Sequence, residues 1–117
     1  MATCSVKAEN PDLETVSTEE FKNQLTEDPS AYLLDVRTPE EFAEGHLAGA
    51  HILNWLDPET FQRDAKDLDK SKTIYVYCRS GRRSHEAGSY LAEHGYHVVD
   101  MEGGILAWEK DGFPVSK

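Results

Sequence analysis

The sequence predicts a single α/β domain with a mainly parallel sheet and helices on both faces. Length, rhythm and strand character carry that expectation. A chain of 117 residues has room for one ordinary domain with its own core. Short apolar or β-branched runs alternate with capped helical stretches, the rhythm of βαβ units. The runs at 31–36 and 73–77 are almost unbroken by polar residues, as strands covered on both faces must be.

Taken in order, residues 1–15 are polar and aperiodic and are expected to form a tail or leading loop before a domain over 16–117. Ser17-Thr18-Glu19-Glu20 is a capping box, with Phe21 and Leu25 four apart as a buried stripe. Asp28-Pro29-Ser30 breaks that helix before the strand at 31–36. Thr38 then caps a short helix with Pro39 at its first position and Glu41 closing the box; Gly45 ends it. A brief strand is expected at 51–53. Asp57-Pro58 repeats the cap-then-proline device for a helix reaching about Leu68.

Thr73-Ile74-Tyr75-Val76-Tyr77 is the strongest strand signal in the chain. It runs straight into Cys78-Arg79-Ser80-Gly81-Arg82-Arg83-Ser84, after which a helix is expected from Ser84 or His85 to His94. Gly95 stops that helix, 97–100 reads as a further strand, and a last helix over 105–110 follows Gly103-Gly104. Trp55, Phe61 and Trp108 are read as core residues.

Charge and cysteine content narrow the function. Lys and Arg number 12 against 22 Asp and Glu, a formal net charge of −10 that repels nucleic acid and anionic membrane surfaces. No apolar run approaches the length of a membrane span. No basic start precedes an apolar leader segment, so the expected compartment is the cytoplasm, with the periplasm as the alternative if a leader had been removed. Cys4 and Cys78 cannot make a disulfide framework, and no CxxC pair is present. The five histidines include no i,i+4 pair, so no metal site is expected, and no Gly-rich nucleotide motif appears, so no organic cofactor is expected.

Against that acidic background, Arg79, Arg82 and Arg83 crowd around one cysteine. Ligands of open parallel sheets sit beyond the carboxyl ends of the strands, where this loop lies. Inward-pointing loop amides, the positive end of the next helix and three guanidinium groups all favour thiolate over thiol. Cys78 therefore reads as a nucleophile toward an anionic substrate; the bland alternative is a buried structural cysteine.

Residues 77–84 resemble the active-site loop of the rhodanese (thiosulfate sulfurtransferase) family, with its pattern Cys-x-x-Gly-x-Arg-Ser/Thr. Asp35-Val36-Arg37-Thr38-Pro39-Glu40-Glu41-Phe42 with Gly45-His46-Leu47-Ala48-Gly49-Ala50 is similar to the family's N-terminal signature, and Gly103-Gly104-Ile105-Leu106-Ala107-Trp108 to its C-terminal one. Ala48 and Asn54 stand where prolines are usual. The resemblance spans roughly residues 16–115 and implies a single rhodanese-like domain with a five-stranded sheet.

It also implies a mechanism. Cys78 would take the outer sulfur of thiosulfate or a related small anionic donor, carry it as a persulfide, and yield it to cyanide or a thiol. The amides from Arg79 to Ser84 would hold the persulfide sulfur, with Ser80, Gly81 and Ser84 shaping the loop and Ser84 also a candidate helix N-cap. Arg83 would turn inward to brace the loop, leaving Arg79 and Arg82 for the donor's sulfonate. Asp35 and Arg37 would support the pocket floor, either directly or as an ion pair ordering residues 36–45. Alternatives are a carrier that relays sulfur to a protein acceptor, an idle binding module, and a cysteine-dependent phosphatase or arsenate reductase. The last is disfavoured by a loop with four residues between Cys78 and Arg83.

Overall fold

The most β-prone run in the chain takes the centre of the sheet. The computed structural model describes residues 11–117, so Cys4 and positions 1–10 of the expected tail lie outside the described residues. In chain order the elements are β1 (Leu13–Val16), α1 (Thr18–Glu27), β2 (Ala31–Asp35), α2 (Pro39–Glu44) and β3 (His51–Ile52). They continue with α3 (Pro58–Ala65), β4 (Thr73–Tyr77), α4 (Arg82–Glu93), β5 (His97–Met101) and α5 (Gly104–Lys110). The sheet order is β1-β5-β4-β2-β3. Every strand pairing is parallel, with Asp35 opposite Tyr77 and Val76 opposite Asp100.

Alternation along β4 splits the core into two layers. Ile74, Val76 and Cys78 face a cluster with Phe61 and Ala65 of α3 and Ala87 and Leu91 of α4. Tyr75 and Tyr77 face the other layer, with Phe21 of α1 and Ile105 and Trp108 of α5. Phe21 and Phe61 are fully buried, each stabilising the fold by roughly 2–3 kcal/mol. The sheet is thus covered on both faces, which is why its central strands carry so little polar character.

Four local details differ from the sequence reading. The tail expected to run through residue 15 gives way at Leu13 to an edge strand, paired from Leu13↔Val98 to Val16↔Met101. Four residues with Glu14 and Thr15 exposed are too few to show a period, and partnership with β5 decides their conformation. The helix over residues 82–93 starts two residues earlier than expected, and α3 stops at Ala65 instead of near Leu68. Finally, Phe61 and Trp108 are core residues, but Trp55 is only half-buried. It meets Phe61 edge-on at 4.9 Å between ring centroids and donates Nε1–H to Glu86 at 3.1 Å.

Candidate active site

At the carboxyl edge of the sheet, the chain leaves β4 at Cys78 and turns into α4 within four residues. Cys78 is 1% exposed, its sulfur continuing the inward face of Ile74 and Val76. The Gly81 amide donates to Cys78 Sγ at 3.0 Å. That contact needs Gly81 at φ 106°, a left-handed conformation that a side chain would strain. Gly81 is also the N-cap of α4, and it offers no side chain to the first turn of that helix. No acidic residue lies in that turn either, so the positive end of a twelve-residue helix is aimed at the cysteine loop without a carboxylate of its own.

Ser84, expected as a possible N-cap, does not cap α4. The helix has already begun at Arg82 because Gly81 makes the turn, which places Ser84 inside the first turn. Its buried hydroxyl oxygen is 2.6 Å from Asp100 Oδ1 and 3.2 Å from the Gly81 carbonyl. Ser80 is exposed at the tip.

The loop is held from behind by the start of α5. The amides of Ile105 and Leu106 donate to the carbonyls of Cys78 and Arg79 at 2.9 and 3.1 Å. So close an approach requires Gly104: a Cβ there would overlap the Arg79 carbonyl and sit 2.6 Å from the Cys78 oxygen. This is the physical content of the Gly103-Gly104 pair. With two loop carbonyls anchored on α5, the Gly81 amide is left for the sulfur.

The three arginines separate. Arg83 turns inward and forms a two-pronged pair with Glu41 of α2, Nη1 to Oε1 at 2.8 Å and Nη2 to Oε2 at 2.9 Å. That guanidinium, helped by the Thr38 amide and hydroxyl, holds the Glu41 carboxyl down to about 2 against the opposing effect of burial. Arg82 has a side chain 88% exposed, with Glu86 the nearest acid at 3.9 Å. Arg79 is exposed and lines a cleft of about 210 Å³ with Arg37, Glu41, Gly45, Leu106 and Glu109.

Asp35 and Arg37 form a buried pair at the end of β2, Arg37 Nη2 reaching Asp35 Oδ2 at 2.6 Å and Nε reaching Oδ1 at 2.9 Å. Nη2 also donates to the Gly45 carbonyl at 2.6 Å, tying down the far end of the 36–45 loop. Each partner is thus occupied with the other and with backbone, while Arg37 also borders the Arg79 cleft.

Two residues near the site escaped the sequence reading. Tyr77 accepts the Leu47 amide at 3.0 Å and carries the Arg37 guanidinium 5.7 Å from its ring centroid; burial pushes its hydroxyl well above the usual range. Asp100 of β5 is buried beside the loop, where Thr15 Oγ1 donates to Oδ2 at 3.1 Å. Burial pushes its carboxyl up, with Ser84, Thr15 and His85 pulling the other way. A carboxylate inside the apolar run His97-Val98-Val99-Asp100-Met101 was the available signal. His46 stacks on Phe42 at 3.9 Å and places Nδ1 3.0 Å from the Phe42 carbonyl, a turn-stabilising arrangement. Among the described residues no three His, Cys, Asp or Glu side chains gather as a metal site.

Cys78 is thus a buried sulfur touched by an amide at an uncapped helix start, an arrangement able to hold an anion. The family model described as the rhodanese-like domain matches residues 17–111. The Bacillus subtilis protein YtwF is 39% identical over 104 residues, covering 88% of this chain and 97% of its own. A sulfurtransferase of Allochromatium vinosum is 36% identical over 102 residues, covering 86% of this chain and 92% of its own. Among solved structures, a rhodanese-related protein from Thermoplasma volcanium superposes with a TM-score of 0.78 at 28% identity, covering 88% of this chain and 97% of its own.

Proposed function

The chain belongs to the rhodanese-like domain family, whose sulfur-transfer chemistry it shares at family level, and we propose that it moves the outer sulfur of thiosulfate or a related small anion to cyanide or a thiol through a persulfide on Cys78. The observation that carries this reading is the Gly81 amide 3.0 Å from Cys78 Sγ at the uncapped start of α4. The amide and the helix start would hold the negative charge of a persulfide's outer sulfur.

In the first half-reaction the Cys78 thiolate attacks the outer sulfur of thiosulfate. A sulfur–sulfur bond forms to Cys78, the bond to the sulfonate sulfur breaks, and sulfite leaves with its electron pair. In the second, an acceptor thiolate or cyanide attacks the same outer sulfur, and the Cys78 thiolate departs with the electrons of the persulfide bond. No external oxidant or reductant enters the cycle, and ping-pong kinetics follow from the covalent intermediate. Arg83, fixed by Glu41, braces the loop, and the exposed Arg79 and Arg82 attract the donor's sulfonate end. Asp35 and Arg37 hold the neighbouring loop as an ion pair.

Brief incubation with thiosulfate, removal of excess donor and intact-mass measurement with peptide mapping test this reading. One sulfur gained on Cys78, and lost on adding cyanide or a thiol, is the expected result. Cys78→Ser gains none and loses all transfer while keeping its circular dichroism. Absence of sulfur uptake from thiosulfate, polysulfide and glutathione persulfide alike overturns it.

A further inference from the structure

The Ser84 hydroxyl has one hydrogen and two acceptors. Its oxygen is 2.6 Å from Asp100 Oδ1 and 3.2 Å from the Gly81 carbonyl, and a single hydroxyl hydrogen cannot serve both well. If Asp100 is a carboxylate, Ser84 donates to it and the Gly81 carbonyl keeps only the His85 amide, at 3.1 Å. If Asp100 carries a proton, that proton goes to Ser84 Oγ, and the serine hydrogen is released to Gly81. Thr15 donates to Oδ2 in either state. Gly81 in turn presents the amide that touches Cys78 Sγ. Gly81 thus stands between the Ser84–Asp100 pair and the Cys78 sulfur, its carbonyl facing the serine and its amide, on the preceding peptide unit, facing the sulfur.

We propose that Asp100 is a positioning residue for Cys78: a proton on Asp100 lets Ser84 anchor Gly81 and strengthens the amide contact to the sulfur, and loss of that proton loosens it. The inference rests on the reading of Cys78 as the nucleophile. The groups around Asp100 that could share its titration are few. Helix α4 brings His85, with Nδ1 3.7 Å from Oδ2; β1 brings the neutral Thr15; and Glu102 lines the same cleft. Burial raises the Asp100 carboxyl and so favours its protonated form, with Ser84, Thr15 and His85 opposing. The expected consequence is that Cys78 and Asp100 titrate as a coupled pair.

Asp100→Asn imitates the protonated state, because the amide NH₂ can donate to Ser84 while its oxygen accepts from Thr15. The pH profile of iodoacetamide alkylation, resolved at the Cys78 peptide, needs no sulfur donor and so stands apart from the success or failure of sulfur transfer. We expect the thiolate midpoint to fall by about one pH unit in Asp100→Asn. In a Ser84→Ala background the same substitution should move it by less than half as much. An unchanged midpoint, or an equal shift with and without Ser84, overturns the proposal. If Asp100→Asn does not fold, carboxyl ¹³C NMR of the unmodified protein decides. Linkage is reciprocal, so Cys78→Ala must move the Asp100 titration; an Asp100 midpoint that does not respond overturns it.

Discussion

Two loops leave adjacent strands at the same edge of the sheet and solve the start of a helix in opposite ways. After β2, Thr38 caps α2 with a full box: its hydroxyl accepts the Glu41 amide, and Glu41 reaches back to the Thr38 amide at 3.0 Å. Arg37 and Asp35 neutralise one another just before it. After β4 there is no side-chain cap, no acid in the first turn, and a glycine where a serine or aspartate would ordinarily stand. The self-satisfied loop is scaffold, and the unsatisfied one is free to hold an anion. Glu41 links them: it closes the box of α2 and grips Arg83 of α4.

This contrast can be broken at several points. The largest expected effect lies in the satisfied loop. Arg37→Ala leaves Asp35 as a buried, unpaired charge and should cost about 3–5 kcal/mol in urea unfolding. The double substitution with Asp35→Ala should cost less than the sum of the two singles. Next comes the rear support of the cysteine loop. Gly104→Ala forces the Cys78 and Arg79 carbonyls to move, and a displacement of about 1 Å at the sulfur should lower kcat/KM on the order of 100-fold. The same clash, at a residue with φ 64°, should also lower the melting temperature.

Glu41→Gln tests the link between the loops and should cost about 1–2 kcal/mol near neutral pH. The sign with pH is definite. Glu41 sits lower in the folded than in the unfolded state, so its contribution is complete above the ordinary glutamate range and fades as pH falls toward about 2. Parallel unfolding curves should therefore diverge at neutral pH and converge in acid. The smallest effect is expected from the exposed arginines. Arg79→Ala and Arg82→Ala should raise the thiosulfate KM by roughly threefold to tenfold with little change in kcat. A drop in kcat alone would place them in the chemical step instead.

The layered fold and the cysteine loop were legible in sequence, each for a local reason. The cap at Ser17, whose hydroxyl accepts the Glu20 amide, and the full box at Thr38 announce helix starts through hydrogen bonds only a few residues apart. The run at 73–77 announces a strand buried on both faces. Arg83 was assigned by resemblance, and its partner Glu41, 42 residues away, could not be named from spacing. Asp100 was passed over because a lone acid at a strand end is ordinary until its neighbours are known.

What the chain alone determined, then, is what short-range physics encodes: which segments are helix or strand, where the turns fall, and which cysteine sits among arginines. Tertiary structure decided the long-range relations. It made an edge strand of Leu13–Val16 by pairing it with β5. It set Gly104 against the cysteine loop, turning a glycine pair into a backing for the nucleophile. It also brought Ser84 within 2.6 Å of Asp100. None of these contacts has a local signature, because each depends on where residues distant in sequence are carried by the winding of a parallel sheet.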